Sequence, residues 1–250
     1  MVPARRALFV SPLLLLLLVS AGCHNTEGLP IYPRMSAGET QRMLAERAHC
    51  IKTVSAEGII TLTRPDGESI RFDGALAMAP PDRARLRAWK FGQAVFDLTL
   101  TREAAWLVAP SDASRADDIK KAGARAGELA RTFADLSGRF FDSTLEVKMP
   151  KETDAIYVFV RRNADGSSLW CTVDRNTLTT WSYELLDPSG KQRFRLSLDR
   201  YALVQGIAFP HRITAVSETG TVQVDLRDVE LNSELPDAAF TPPRRAEKLK

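Results

Sequence analysis

Cysteine and histidine are scarce in this 250-residue sequence, with three of each. Three cysteines cannot build a disulfide-stapled scaffold. No Cys-x-x-Cys occurs, and no two histidines flank a glutamate at four-residue spacing, so the usual metal-ligand patterns are missing and neither a metal nor a cofactor is expected. A glycine-rich phosphate loop and a Gly-x-Ser-x-Gly elbow are missing too. Asp117-Asp118 reads as charge at a helix start rather than an acid/base pair, so no residue is assigned as catalytic and no enzyme is expected. Carboxylates are plentiful and a glycosidase needs only two, which keeps an enzyme as the weakest of three readings. Glycine and proline, 14 of each, are too few for collagen or a low-complexity chain. A surplus of one charge is lacking as well: 34 Lys+Arg face 31 Asp+Glu, a net +3. That excess is too small to draw a phosphate backbone, and nucleic acid is not an expected partner. Balanced charge with 44% hydrophobic residues also excludes wholesale disorder and a coiled coil.

The N-terminus is the most patterned stretch. Arg5 and Arg6 precede an apolar run, Ala7 to Ala21, that holds six consecutive leucines and ends in small residues before Cys23. This is the layout of a secretory signal, and a run shorter than about 17 residues does not span a bilayer as a helix. Taking residues 1–22, with their two arginines, from 250 residues and +3 leaves 228 residues at +1. With no internal repeat and no interior linker, one largish domain is favoured. Val19-Ser20-Ala21-Gly22-Cys23 resembles the bacterial lipobox. The resemblance implies that Cys23 becomes the mature N-terminus and carries acyl chains, palmitate among them. Two or more chains hold a protein stably on a bilayer. His24 replaces the aspartate that retains such proteins in the inner membrane, which implies residence on the outer membrane, facing the periplasm. Cys50 and Cys171 remain; they either pair or sit apart as small buried hydrophobes.

Residues 23–35, with Asn25, Gly28, Pro30 and Pro33, read as a lipid-anchored tether. Ser36-Ala37-Gly38-Glu39 has capping-box spacing and predicts a helix through about His49, with Met43, Leu44 and Ala48 on one side. From there the period is two. Strands are predicted at 54–63, 69–78, 83–90, 94–101 and 105–109, joined by short turns that make neighbours antiparallel. Ile119, Ala122, Ala126, Leu129, Phe133, Leu136 and Phe140 then recur at spacings of three and four, predicting an amphipathic helix over 117–137. Further strands are predicted at 143–149, 155–162, 169–174, 178–186, 193–201, 212–216 and 221–226. Residues 244–250 form a basic tail read as frayed. Arg83, Arg85 and Arg87 share one strand face, read as solvated, with lipid headgroups or an acidic partner as the functional alternative. Trp89, Trp106, Trp170 and Trp181 read as core.

The order of parts and several local words resemble the LolA/LolB lipoprotein-carrier superfamily. The words are Ala56-Glu57-Gly58-Ile59-Ile60-Thr61-Leu62, Phe72-Asp73-Gly74, Arg85-Leu86-Arg87 before Phe91-Gly92-Gln93, Phe209-Pro210-His211-Arg212-Ile213, and Leu231-Asn232 before Leu235-Pro236-Asp237-Ala238-Ala239-Phe240. The resemblance implies a mainly β (α+β) fold over residues 36–243: an incomplete antiparallel half-barrel of about 11–12 strands, with helices lidding a hydrophobic cavity. It implies an envelope lipoprotein that takes lipid or acylated lipoprotein cargo, with a periplasmic carrier protein as a further partner. The alternative is a structural or partner-binding lipoprotein on the same scaffold. LolB-type members expose a hydrophobic loop, whereas Ala79-Pro80-Pro81-Asp82 here lacks a bulky apolar tip. Apolar alternation nominates Phe72, Leu76, Leu86, Phe96, Leu98, Leu100, Phe159, Tyr183, Phe194 and Leu196 as cavity lining, and Ile119, Leu129 and Phe133 as lid; the alternative is a plainly packed core.

Overall fold

The computed structural model describes residues 28–108, 139–148, 155–218 and 220–249. The leader, Cys23 and the lid positions Ile119, Leu129 and Phe133 lie outside the described residues. One α-helix, α1 (Ala37–Cys50), precedes β1 (Val54–Thr63), β2 (Ser69–Ala79), β3 (Arg83–Lys90), β4 (Gln93–Leu100) and β5 (Ala105–Val108). A 3-10 turn, Phe140–Asp142, leads into β6 (Glu146–Lys148), β7 (Ile156–Arg162), β8 (Ser168–Asp174), β9 (Thr180–Leu186), β10 (Gln192–Val204), β11 (Ile207–Ser217) and β12 (Gly220–Leu231). A second 3-10 turn, Asp237–Phe240, precedes β13 (Glu247–Lys248).

Helix α1 begins as its sequence requires. Ser36 Oγ accepts from the Glu39 amide at 3.3 Å while Glu39 Oε2 accepts from the Ser36 amide at 2.9 Å, so two orphan donors of the first turn are satisfied reciprocally. The segment before it is not a free tether. Leu29 is buried, the Tyr32 amide donates to Asn176 O at 2.7 Å, and Tyr157 Oη donates to Met35 O at 2.6 Å. Its prolines suggested a linker, but Leu29, Tyr32 and Met35 find apolar surface on the sheet.

The strands form a single antiparallel sheet in the order β13-β5-β4-β3-β2-β1-β12-β11-β10-β9-β8-β7-β6. It is two meanders, β1–β5 and β6–β12, joined along one seam where β1 pairs β12 from Val54↔Leu231 to Thr63↔Thr221. The two outermost strands, β13 and β6, do not pair, so the sheet stays open. A bulge between Ser55 and Glu57 sharpens the local twist at the seam. Beside it Gly58 faces Gly74 across β1 and β2. A Cβ at Gly58 would come within 2.2 Å of the Asp225 carbonyl oxygen, and one at Gly74 within 2.6 Å of Ile60 Cδ1. Only glycine allows that approach.

One sheet face is largely apolar, broken near the β7 edge by Arg161, whose guanidinium carbon lies 5.6 Å from the Phe140 ring centre, and the register shows how. On the first meander Leu107, Leu98, Leu86, Leu76 and Ala56 stand in one transverse row across β5 to β1. Toward the other edge, Val147, Phe159, Cys171, Tyr183, Leu196, Ala215 and Val222 form another across β6 to β12. Pairing brings same-face residues together, as the two-residue period of a strand demands. The outer face is charged. Asp225 accepts from Arg212 at 2.6 Å, and Arg195 meets Glu184 at 3.6 Å.

Three sequence expectations change here. The tail is partly paired rather than frayed, because β13 adds to the free edge of β5 through Glu247↔Leu107 and Lys248↔Trp106, giving thirteen strands. The arginines of β3 do not face open solvent alone. Arg85 forks onto Asp97 at 2.8 and 2.7 Å and donates to Ala239 O at 3.2 Å, while Arg83 pairs with Asp237 at 2.7 Å and lies 4.8 Å from the Phe240 ring centre. They clamp the C-terminal segment to the outer face. The tryptophans are half-buried rather than core; Trp89, Trp106 and Trp170 pair with Asp73, Thr99 and Val160, which puts them on the outer face.

Candidate functional site

The apolar inner face is the feature with functional potential. All ten sheet positions nominated from alternation lie on it. Phe72, Leu76, Leu86, Phe96, Leu98, Leu100, Phe159, Tyr183 and Leu196 are buried in one contiguous cluster, and Phe194 packs half-buried against it. Phe72 and Phe96 meet edge-on at 6.3 Å. At the β6–β11 end, Phe140 and Phe141 come down onto the face, with Phe140 5.4 Å from Tyr183 and Phe141 5.7 Å from Phe159, both edge-on. Such pairs contribute about 0.5–1.5 kcal/mol beyond burial. Gln41 holds this turn to α1 by donating to Phe141 O and Ser143 O at 2.9 and 3.0 Å.

Packing is closed over the Gly58–Gly74 strip, where Ile60 fills the space above Gly74. It opens between α1 and β9–β11. There a cleft of about 100 Å³ is walled by Leu44 and Ala48 of α1 and by Ile51 just after it, floored by Tyr183, Leu198 and Phe209, and rimmed by Arg47 and residues 178–180 at the start of β9. Of the ten nominated sheet residues only Tyr183 reaches it. Tyr201 Oη, also in its wall, donates to Thr180 O at 2.7 Å. Burial pushes the Tyr183 and Tyr201 phenols far above their ordinary pKa, so both are neutral. Among the described residues Arg47 is thus the one charged group in the lining.

Sequence reasoning missed most of this cleft because its residues come from four distant segments. Leu44 and Ala48 were noted only as a helix face. Ile207 and Phe209 lie where alternation lapses: Arg200 at φ +55 breaks the phase after Leu198, and Pro210, though inside β11, reads in the sequence as a strand breaker. A second missed residue is Phe91. It forms the two-residue β3–β4 connection with Gly92, at φ +51 and +74, and is 92% exposed. The apolar tip sought at 79–82 is found one hairpin later.

Both remaining cysteines are free. Cys50 is exposed, while Cys171 is buried in the inner-face row, where burial pushes its thiol well above the ordinary range. Among the described residues no cluster of three or more His, Cys, Asp or Glu is placed to hold a metal.

An open antiparallel half-barrel with an apolar inner face and a helix laid across one end defines the class of this protein. Solved structures share this fold: the LolA superfamily protein NE2245 from Nitrosomonas europaea matches with a TM-score of 0.54 at 17% identity, over 80% of this chain and 97% of that one. A Vibrio parahaemolyticus domain described as an outer membrane lipoprotein-sorting protein matches at 0.58 and 14%, over 81% and 95%. A DUF1329 family protein from Desulfovibrio piger matches at 0.57 and 12%, over 82% and 95%. No protein-family model matches the chain, and no curated protein matches it in sequence. The chain therefore has the LolA-type fold, at identities that speak for fold alone.

Proposed function

We propose that this protein is a non-enzymatic, lipid-anchored component of the outer membrane, facing the periplasm. It holds acyl chains, free or attached to a lipoprotein, against the inner face of the half-barrel. The observation that carries this reading is the broad apolar face of an open sheet, with a cleft at one end. Each acyl CH₂ taken from water contributes about 0.8 kcal/mol, so affinity needs no chemistry beyond burial. Phe91 supports a membrane-facing step. The other hairpin tips at its end of the sheet carry Asp66, Asp165, Asp187 and Glu218, and it alone presents an aromatic ring.

Native mass spectrometry of the Cys23→Ser chain tests the binding. Copurified fatty acid or phospholipid, or uptake of a fluorescent fatty acid, is the expected result; a clean apo mass with no uptake refutes it. Anchoring is tested by fractionation: Cys23→Ser moves the protein to the soluble fraction, and retention on the membrane refutes the lipobox reading. One observation favours a second reading. Much of the inner face is closed, with Leu98, Phe159 and Leu196 fully buried. A half-barrel filled by its own side chains is a partner-binding scaffold, and the clean apo mass is the outcome that selects it.

A further inference from the structure

The cleft between α1 and β9–β11 has an electrostatic asymmetry. Its walls are mostly aliphatic and aromatic, with Thr179 and Thr180 at one side, its two phenols are hydrogen-bonded or deeply buried, and among the described residues its lining holds no carboxylate. At its rim stands Arg47, half-buried, with its guanidinium carbon 4.5 Å from the centre of the Tyr32 ring and Nη1 donating to Leu178 O at 3.3 Å. Among the described residues Arg47 makes no ion pair, whereas most arginines of the sheet do. Its helical neighbours at three and four positions, Met43, Leu44, Cys50 and Ile51, carry no charge. Tyr32 and the Leu178 carbonyl hold the guanidinium in place without neutralising it. Leu178 itself is fixed at φ +54 by a turn in which the Asp174 carboxylate accepts from the Asn176 and Thr177 amides at 2.9 and 2.7 Å.

We infer that this cleft is a subsite for an anionic amphiphile, in which Arg47 takes a carboxylate or phosphate head and the apolar walls take the first methylenes of the chain. The inference rests on the acyl-binding reading and adds to it the head chemistry and the residue that selects it. The size fits a chain segment rather than a whole lipid: a 150 Å³ apolar cavity holds a benzene ring, so about 100 Å³ open at one side takes a few methylenes. A guanidinium is suited to the head because its planar fork matches both carboxylate and phosphate oxygens, and partial burial strengthens the contact.

Calorimetric titration of the delipidated Cys23→Ser chain with decanoate, decyl phosphate and decanol tests this. The expected result is that at least one anion binds about 10-fold tighter than decanol, the size of one charge-assisted hydrogen bond. Whichever anion binds tighter names the head. Arg47→Gln brings the ratio of anion to decanol affinity close to one, and Arg47→Lys, which keeps the charge, retains part of the preference. Equal binding of all three ligands, or a preference that survives Arg47→Gln, overturns the subsite and leaves the acyl-binding reading standing. No binding of any of the three overturns both.

Discussion

Phe91 offers a test in which stability and function move in opposite directions. A left-handed backbone costs an L-residue about 1–2 kcal/mol, and asparagine is one of the few residues that adopt it readily. Phe91 at φ +51 bears that cost, and at 92% exposure it recovers almost nothing by burial. Lys90 Nζ lies 5.6 Å from its ring centre, an exposed contact of about 0.5 kcal/mol at most. Phe91→Asn places Asn-Gly at the two central positions, the pairing favoured for such hairpins. The net expectation is a gain of about 0.5–1 kcal/mol, read as a higher urea midpoint at unchanged slope, or as a rise of about 2 °C in Tm. The same variant should sediment less with phospholipid vesicles, and Phe91→Leu, which keeps an apolar tip, should not. A Phe91→Asn chain that is less stable than the parent refutes the reasoning, because the ring would then be packed rather than presented.

Three further outcomes are expected. Gly58→Ala should cost about 3 kcal/mol by overpacking against the Asp225 carbonyl, checked by chemical denaturation; a loss under 1 kcal/mol contradicts the close approach at the seam. In the Cys23→Ser chain a thiol reagent should count one reactive cysteine in the native state, Cys50, and two after unfolding, and a native count of zero would mean a disulfide. Asp225 should contribute to acid stability. Burial opposes its charge, but hydrogen bonds from Arg212 and Gln223 prevail and hold its pKa below the ordinary value. Its contribution is therefore present above the unfolded pKa of about 3.9 and is lost as pH falls through the lower folded value. The stability gap between the parent and Asp225→Asn should be open at pH 7 and narrow progressively as the pH is taken below about 3.9; a gap that stays the same size down to acid unfolding excludes this role.

The elements most legible in the sequence were those with clean local rules. Strands β1 and β3 fall at the predicted residues because alternation is uninterrupted from Val54 and from Arg83, and α1 starts where the Ser36–Glu39 capping box places it. Legibility failed where geometry is set from a distance. The lower half of the β10–β11 hairpin was unread because Arg200, Gln205 and Gly206 take positive φ and Pro210 breaks the pattern. Strand β13 was unread because a basic tail gains a ladder only when the β5 edge is beside it. The inner face was legible because period two decides which side each residue takes, but its cleft was not, since closure over one strip and opening over another depend on how α1 lies across the sheet.

The seam between β1 and β12 also sets an order of assembly. Within the described residues every strand pairing except β1–β12 and β13–β5 joins chain neighbours, so each meander can zip up through successive hairpins with little loop-closure cost. The seam brings together segments some 160 residues apart and is fastened by Asn232, whose side chain accepts from the Lys52 amide at 2.7 Å and donates to Cys50 O at 2.9 Å. Before that step, each half-sheet shows an apolar face and an unpaired edge to its surroundings. A chain that crosses a membrane unfolded before reaching its working compartment would be most exposed to aggregation in that interval, and the speed of seam closure would decide how much of it arrives.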